Sequence, residues 1–343
     1  MSTSHNNMSR KTTVFLTGAT GYLGGAALQL IMHDPELSIT ALVRDKEKAV
    51  KLEQFGLNVV SGSLDDTELL EKEGANAAVI SHAASLSHMA GVTALLRGAK
   101  ARFERTGEQP IFIHTSGTGA FAKLDAMGDY TSDKILSDAD PNLDNFKNTL
   151  AHNTVNDVLV AADGEGYVRS YIVMPSMVYG ALKGPLVDAG IAHAYSIAIP
   201  TMIKLCIQRG QGAMVGKGLN RWPIVHIDDT ADFYKLILQH ALADDAPHGA
   251  QGTYVTENGE VTLADSAKWY TKALHSHGKS AKAEPESFTT AEIEKNPFLS
   301  YMGTDDRIRG DRARQLGWYP AHGVEDFFEC VQQEVEDILA GRD

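Results

Sequence analysis

The sequence predicts an α/β fold in which helices cover both faces of a doubly wound parallel sheet. A short apolar run, Val14–Leu16, ends in spaced glycines, and an apolar helical pattern then runs from Leu23 to Ile31. Further short apolar runs alternate with helical patterns up to about residue 180. Such alternation is typical of parallel strands joined by right-handed crossovers. The carboxyl edge of this sheet is where a ligand is expected.

Composition and charge exclude several classes of binding partner. The chain has 343 residues and a formal net charge of −13, with no basic stripe, so neither nucleic acid nor a membrane surface is expected as a partner. Cys206 and Cys330 lie far apart and predict a reduced, cytoplasmic protein without disulfides. Residues 1–11 lack the apolar core of a signal peptide and are expected to form a disordered tail. The apolar stretch 191–207 is too interrupted by polar residues to span a bilayer.

The turn after the first strand carries the clearest chemical signal. Its glycines at 18, 21 and 24 allow a tight exit from the strand, close approach of a pyrophosphate and close helix packing, respectively. The N-terminus of the following helix then offers unpaired N–H groups to the phosphates. A dinucleotide site is therefore predicted here. The expected contacts are Gly18, Thr20, Gly21, Tyr22, Leu23 and Gly24.

The second strand, Ile39–Val43, is followed at once by Arg44. In folds of this kind an acidic residue at that place binds the 2′-hydroxyl of NAD, whereas an arginine accommodates the 2′-phosphate of NADP. Arg44 therefore predicts NADP as the cofactor, with NAD the less favoured choice. The alternative is that Arg44 belongs to a solvated charge run with Lys46 and Lys48.

Later strands are expected at 57–60, 77–81, 111–113 and 171–174. Because parallel strands end at the same edge of a sheet, the residues that follow them should meet the same ligand. The further cofactor contacts predicted on this basis are Ser63, Leu64, His82, Ala83, Ala84, Thr115, Pro175, Met177 and Val178.

The C-terminal half is less regular. Residues 223–227 predict a short strand, and Asp228-Asp229-Thr230 is expected to cap a helix over 231–240. Residues 253–256 predict another short strand. The apolar spacing from Val324 to Ile338 indicates one helix face packed on a core.

Taken together, these segments resemble the extended short-chain dehydrogenase/reductase superfamily, including its epimerase/dehydratase-like members and related reductases. The resemblance covers about residues 12–335. The matching segments are Thr17–Gly24, Ser81–Ala84, Thr115-Ser116, Pro175–Gly180, Val225–Ala231 and Ala313–Pro320.

The resemblance implies a Rossmann domain with a smaller C-terminal substrate lobe, and NAD(P) as the cofactor. The Rossmann domain is assigned to 12–180, with 223–240 returning to it. The lobe takes 181–222 and 241–320, and the last helix 324–340. Members of this group often dimerise through helices at the positions of 92–103 and 149–162, which leaves a homodimer open.

The chemistry of that group usually rests on a Ser or Thr after the fifth strand and a Tyr-x-x-x-Lys pair on the next helix. Ser116 matches the hydroxyl residue. In one register of the helix Asn148 falls at the expected Tyr and His152 at the expected Lys; in the other register His152 falls at the Tyr and Asn156 at the Lys. Tyr130 and Lys134 form a literal pair in a polar stretch that otherwise indicates an ordered loop on the substrate side.

Ser116, His152 and Tyr130 are thus the candidate catalytic residues. An imidazole at 152 would donate a proton, since its usual pKa is about 6.5, or would only hydrogen-bond the nicotinamide ribose. No metal is expected, because His82, His88, His114 and His226 lack metal-ligand spacing.

The function predicted is an NADP-dependent oxidoreductase of the atypical extended type. It would act on a carbonyl, imine or activated alkene of a small organic molecule. Two alternatives stay open: a redox-neutral isomerase or cyclase that retains a bound dinucleotide, and a non-enzymatic NAD(P)-sensing regulator. Substrate contacts are expected from the variable segments 120–148 and 181–222.

Overall fold

The computed structural model describes residues 11–342, so the tail expected over 1–11 lies, except for Lys11, outside the described residues. The described strands are β1 (Thr12–Thr17), β2 (Leu37–Val43), β3 (Asn58–Ser61), β4 (Val79–His82), β5 (Ile111–Thr115), β6 (Leu136–Ser137), β7 (Arg169–Pro175), β8 (Met177–Tyr179), β9 (Ala213–Met214), β10 (Arg221–His226), β11 (Thr253–Thr256), β12 (Glu260–Thr262), β13 (Glu286–Ser287) and β14 (Ile308–Arg309).

The described α-helices are α1 (Tyr22–Ile31), α2 (Lys46–Gln54), α3 (Thr67–Asn76), α4 (Met89–Thr106), α5 (Ala151–Gly164), α6 (Pro185–Asp188), α7 (Ala198–Arg209), α8 (Ile227–Ala243), α9 (Leu263–Ser276), α10 (Thr290–Lys295), α11 (Pro297–Met302), α12 (Asp311–Gln315) and α13 (Val324–Leu339). None of the helices in residues 11–342 combines the length and apolar character that a membrane crossing requires.

A seven-stranded parallel sheet in the order β11-β7-β5-β4-β1-β2-β3 forms the centre of the molecule. Side chains of a strand alternate between its faces, and β1 shows the consequence. Val14 and Leu16 pack into one buried cluster with α1, α2 and α8. Phe15 packs into a second cluster with α3, α4 and α5. Both faces are therefore covered, which confirms the doubly wound α/β fold.

A third apolar core lies in the C-terminal half. It joins the small sheet β12-β10-β8 to helices α7, α9 and α13. Phe327, Val331 and Val335 of α13 are fully buried in it, as the apolar spacing of that helix predicts. This core forms the wall that faces the carboxyl edge of the central sheet.

Two strands differ from their sequence assignment. β11 pairs with β7 at the edge of the central sheet, although 253–256 was assigned to the substrate lobe. β10 pairs with β8 and β12 and does not enter the central sheet, although Val225 of β10 and the helix α8 pack in the cluster on that sheet's face. Both strands are short, and their partners are set by pairing that no local pattern encodes.

Helix α8 begins earlier than predicted. The strand β10 runs directly into it, and the His226 Nδ1 accepts the Asp228 N–H at 3.2 Å as the N-cap. Asp228 and Asp229 lie inside the first turn, where acidic side chains favour the positive end of the helix dipole. The predicted cap at 228–230 and start at residue 231 are therefore corrected to His226 and Ile227.

Candidate active site

The turn between β1 and α1 is built so tightly that side chains are excluded. Gly18 has φ of +87°, and a Cβ there would lie 2.6 Å from the backbone carbon of Ala83. A Cβ on Gly24 would lie 2.2 Å from the Gly18 carbonyl oxygen. The Gly21 N–H donates to that same oxygen at 2.9 Å. The glycines thus hold the helix start directly against the sheet edge.

Helix α1 opens on this turn without a side-chain cap. Gly21 is the N-cap residue in extended conformation, and no side chain accepts the N–H groups of the first turn. Such N–H groups, with the positive end of the helix dipole, bind phosphate oxygens. Tyr22 is fixed by its hydroxyl, which donates to the Gly180 carbonyl at 2.6 Å, and Thr20 is half-buried beside it. The cradle fits a dinucleotide pyrophosphate, because a Cβ would fill it.

Arg44 follows β2 at the same edge and is exposed. The capping of α2 is done by its neighbour, Asp45, whose carboxylate accepts the N–H groups of Glu47 and Lys48 at 2.8 and 3.1 Å. Within the part of the chain that the structure describes, the Arg44 guanidinium makes no ion pair or hydrogen bond. It is therefore available to an anionic ligand.

Three of the cofactor contacts predicted after β3 and β4 have side chains that contact other parts of the protein. Ser63 is used in a turn, where its Oγ accepts the Asp65 N–H at 3.2 Å, and Leu64 packs against the apolar cluster under α3 and α4. The His82 ring is buried, with its Nδ1 2.6 Å from the Thr17 Oγ1. The His82 imidazole is therefore held inside the fold by this contact.

A cleft of about 630 Å³ lies between the sheet edge and the C-terminal lobe. It brings together many of the predicted residues. The sheet side contributes Gly21, Tyr22, Leu23, Ala83, Leu86, Ser116, Gly117, Thr118, Gly119, Pro175, Ser176, Met177 and Val178. The lobe side contributes His193, Ala194, Tyr195, Ser196, Ile197, Ala198, Pro200, Lys204, Trp222, Tyr301 and Met302. A larger cavity of about 770 Å³, beside Asp138 and Arg312, shares none of these residues.

Ser116 directly follows β5 and is one of the hydroxyl residues that line the cleft. Its N–H donates to the Val173 carbonyl at 2.8 Å, and its Oγ is buried with no hydrogen-bond partner among residues 11–342. The neighbouring Thr115 does not line the cleft, because its Oγ1 lies 2.5 Å from the Tyr234 hydroxyl on α8. Ser116 can thus donate to a substrate oxygen without breaking another contact.

Helix α5 carries buried polar groups at the positions where a Tyr or a Lys is expected from the sequence. His152 and Asn156 are separated by one helical turn and share a face. The Nε2 of His152 and both amide atoms of Asn156 are buried without a partner in the described chain. Burial lowers the pKa of His152, so its imidazole is neutral at pH 7. Neither side chain reaches the wall of the cleft.

Asn148 precedes α5 and holds the turn that follows Ser116. Its amide Nδ2 donates to the carbonyls of Gly119 and Ala122 at 2.6 and 3.0 Å. The residue at one of the two expected Tyr positions is therefore a structural support for the cleft wall.

The structure does not bring the literal Tyr130–Lys134 pair to Ser116. Tyr130 is 37% exposed, and its hydroxyl donates to Asp125 Oδ1 at 2.8 Å. The Lys134 ammonium lies 3.6 Å from the centre of the Phe146 ring. Neither residue lines the cleft, and the part of Tyr130 in catalysis stays a prediction.

Two aromatic residues of the lobe line the cleft: Trp222, at the end of the expected segment 181–222, and Tyr301, which is not predicted from the sequence. Their rings pack edge to face at 5.2 Å between centroids. Both lie far along the chain from the glycine turn, and nothing in the local sequence around either residue marks it as part of a site.

Within residues 11–342, one group of three His, Cys, Asp or Glu side chains brings its possible metal-ligand atoms within 4.8 Å of one another. It consists of His226, Asp228 and His322. The two imidazole rings stack at 4.0 Å, and the His226 Nδ1 already accepts the Asp228 N–H. The capping of α8 and the ring stacking account for this grouping without an ion. The expectation of no metal stays a prediction.

The chain is similar to a known protein family and to several known proteins. A model of the NAD dependent epimerase/dehydratase family matches residues 14–251. The chain is 31% identical to the protein named oxidase ucsJ of Acremonium sp, over 95% of this chain and 98% of that one. It is 26% identical to a 4-hydroxy-2-methyl-3-oxo-4-farnesyl-3,4-dihydroquinoline-1-oxide ketoreductase of Stigmatella aurantiaca, over 49% and 50% of the two chains.

Solved structures share the fold at low identity. The UDP-glucose 4-epimerase of Thermotoga maritima, solved with UDP-glucose, superposes with a TM-score of 0.65 at 15% identity, covering 96% of this chain and all of that one. The dTDP-glucose 4,6-dehydratase of Streptomyces venezuelae, solved with NAD, gives 0.64 at 16% identity, with 96% and 98% covered.

Proposed function

The chain belongs to the NAD dependent epimerase/dehydratase family, and from this we propose that it is an NADP-dependent oxidoreductase. Its substrate would be a small organic molecule with a carbonyl, imine or activated alkene. One observation carries the proposal: the Ser116 hydroxyl is uncommitted and lines the same cleft as the start of α1. A group that can hold a substrate oxygen thus lies beside the cradle for a dinucleotide.

In this proposal the N–H groups at the start of α1 hold the pyrophosphate, and Arg44, Ser63 and Leu64 face the adenosine end. Ala83 and residues 175–178 line the cleft beside the nicotinamide end. When bound, the nicotinamide supplies or accepts a hydride, which no side chain can do. The protein positions the substrate oxygen and handles its proton.

The catalytic residues are assigned to different tasks. Ser116 orients the substrate oxygen from the cleft wall. His152, whose Nε2 is buried without a partner in the described chain, hydrogen-bonds the nicotinamide ribose or passes a proton beneath the site. Tyr130 is the third candidate and would have to leave Asp125 to reach the cleft.

The character of the cleft favours an apolar substrate over a nucleotide sugar. Its lobe side includes Ile197, Pro200, Trp222 and Met302, and the whole lining holds one lysine and no arginine. A sugar nucleotide carries a diphosphate, which proteins commonly bind with arginine side chains. The relative named as a ketoreductase acts on a farnesylated quinoline, which is also largely apolar.

Arg44→Glu is expected to weaken NADPH binding roughly 10- to 100-fold, because a hydrogen bond to a charged group contributes about 1.5–3 kcal/mol. NADH affinity should stay the same or rise. Fluorescence titration of both cofactors measures this. Lys46→Glu, with the same charge change two residues later, should alter the ratio much less. Tighter binding of NADH than NADPH by the unmodified protein would remove the Arg44 argument.

Ser116→Ala is expected to lower kcat/KM for a carbonyl substrate about 10- to 100-fold, since removing one donor to a developing oxyanion has effects of this order or larger. NADPH affinity should not change. The measurement is the absorbance of NADPH with a panel of apolar ketones, run in both directions. Product formed without net change of the cofactor would instead support the isomerase or cyclase. Tight binding with no turnover of any carbonyl would support the regulator.

A further inference from the structure

Three tyrosines line the cleft: Tyr22, Tyr195 and Tyr301. Two of their hydroxyls are committed to the protein. Tyr22 donates to the Gly180 carbonyl and Tyr195 donates to the Asp337 carboxylate. The Tyr301 hydroxyl makes no hydrogen bond to any residue within 11–342. It is therefore the tyrosine hydroxyl of the cleft wall that remains available to a substrate.

The Tyr301 ring is held in place from several directions. It lies on α11, and the end of that helix is anchored by Asn220, whose amide donates to the carbonyls of Met302 and Thr304 at 2.9 and 2.7 Å. Trp222 packs against the ring and donates its indole N–H to the Thr304 carbonyl at 2.8 Å. A side chain with so many fixed neighbours presents its hydroxyl at a defined place.

That place is directly above the turn that follows Ser116. A Cβ built on Gly119 would lie 2.3 Å from the Tyr301 hydroxyl oxygen. Gly119 is three residues after Ser116, and both line the cleft. The two hydroxyls therefore approach the cleft from opposite walls, one from the sheet and one from the lobe.

The charges around Tyr301 keep it in the protonated form. Burial raises the pKa of its hydroxyl, and the carboxyl group of Asp306 raises it further. Asp306 is itself fully buried; burial raises its pKa to about 7, while the nearby Thr118 hydroxyl lowers it, although neither Asp306 carboxyl oxygen makes a well-formed hydrogen bond within residues 11–342. Within residues 11–342 the charged side chain that shifts the pKa of Tyr301 is the Asp306 carboxyl group, in contrast to the lysine of a Tyr-x-x-x-Lys pair. The phenol is a proton donor here.

We propose that Tyr301 donates the proton to the substrate oxygen and so replaces, from the lobe, the tyrosine that α5 lacks. The inference rests on the proposed function. In the reduction, the carbonyl carbon gains a hydride with its electron pair from the reduced nicotinamide, and the π bond opens onto the oxygen. The oxygen takes the proton of the Tyr301 hydroxyl, giving the alcohol and the oxidised dinucleotide. The tyrosinate regains a proton from water through the open cleft.

Tyr301→Phe keeps the ring and removes only the hydroxyl, so the fold should persist. The expected result is a 10- to 100-fold fall in kcat/KM for ketone reduction, with NADPH affinity within twofold of the unmodified protein. Tyr319→Phe, at a side chain that is 85% exposed and outside the cleft, is the matched control and should keep the full rate.

A second measurement avoids turnover altogether. Binding of acetophenone and of ethylbenzene, which lacks the carbonyl, is measured by ligand-observed NMR without cofactor. Loss of the hydroxyl should weaken acetophenone binding several-fold and leave ethylbenzene binding unchanged. Equal effects on both ligands would indicate a packing role and overturn the assignment.

The two proposals fail in different ways. Full ketone reduction by Tyr301→Phe would overturn the proton-donor assignment and leave the oxidoreductase standing. Absence of NADPH oxidation by the unmodified protein with every carbonyl compound in the panel would overturn the oxidoreductase and, with it, the role of Tyr301.

Discussion

Replacing Gly18 with alanine is expected to abolish measurable dinucleotide binding and to lower the free energy of unfolding by about 3 kcal/mol. Two effects add. At φ of +87° an alanine costs about 1 kcal/mol in backbone strain. The new methyl group would also lie 2.6 to 2.8 Å from backbone atoms of Ala83 and Ala84, which follow β4 and cannot rotate away. The turn must shift, and the N–H groups at the start of α1 shift with it.

Gly107→Ala separates the two effects. Gly107 has φ of +73° at the end of α4, and a Cβ there meets nothing within 4 Å. This variant should lose only about 1 kcal/mol and bind NADPH normally. Urea unfolding and a fluorescence titration measure both quantities. If Gly18→Ala binds NADPH within threefold of the unmodified protein, the turn does not hold the pyrophosphate.

The sequence predicts the central sheet well because its signals are local. Val14–Leu16 is apolar, bounded by turn residues and followed by a helical pattern, and β1 and α1 form there. The predicted strands at 39–43 and 111–113 are found as Leu37–Val43 and Ile111–Thr115. Each pattern lies within one element, so no knowledge of distant partners is needed.

Local sequence patterns do not predict which sheet the strands β10 and β11 join. Both were expected as strands, yet a four-residue run such as Thr253–Thr256 does not say which strand it will join. Its partner β7 ends at Pro175, and the pairing depends on how the intervening lobe folds. Sheet membership is here a property of the whole chain.

The candidate site likewise has one side that the sequence predicts and one side that it does not. Contacts on the sheet side, such as Tyr22, Ser116 and Met177, follow strands at positions that the sequence marks. On the lobe side the expected segment 181–222 does reach the cleft, whereas 120–148 contributes none of its residues. Tyr301 enters through packing on Trp222, a contact between distant residues. Sequence patterns indicate the edge where a ligand binds and not the wall that closes over it.

Helix α5 shows how a change in residue type alters the electrostatics of a site. Its polar face holds His152 and Asn156, which supply no fixed positive charge once burial has lowered the pKa of the histidine. A tyrosine in such a site is not driven toward phenolate. This is the setting in which an uncharged phenol from the lobe, Tyr301, becomes the available acid.

Glu334 on α13 leads to the second large prediction: the protein should lose about 2–4 kcal/mol of stability between pH 5 and pH 9 through this one side chain. Glu334 is 1% exposed, and neither carboxyl oxygen makes a well-formed hydrogen bond within the described chain. Burial raises its pKa to about 8; the nearby Gly180 N–H lowers it and Asp337 raises it.

The sign follows from proton binding. In the unfolded chain this carboxyl group loses its proton near pH 4.5, whereas in the fold it keeps the proton up to about pH 8. The stabilisation by the protonated Glu334 side chain is therefore fully present below the pKa of the unfolded state. It is lost as pH rises through the pKa of the folded state. Each pH unit between the two pKa values changes the free energy of unfolding by about 1.4 kcal/mol, and partial hydration of the charged form reduces the total.

Glu334→Gln tests this because glutamine has nearly the same shape and stays neutral at every pH. The variant should match the unmodified protein near pH 5 and exceed its stability at pH 9. Asp138 and Asp306 also have pKa values raised by burial, to about 6 and about 7, so both proteins should lose some stability as pH rises. The decisive quantity in urea unfolding is thus the difference in free energy of unfolding between the variant and the unmodified protein at each pH.

Glu329→Gln, at an exposed position of the same helix, is the control. Its free energy of unfolding should differ from that of the unmodified protein by the same amount at pH 5 and at pH 9. Parallel curves for Glu334→Gln and the unmodified protein would mean that the Glu334 carboxylate is solvated in the fold.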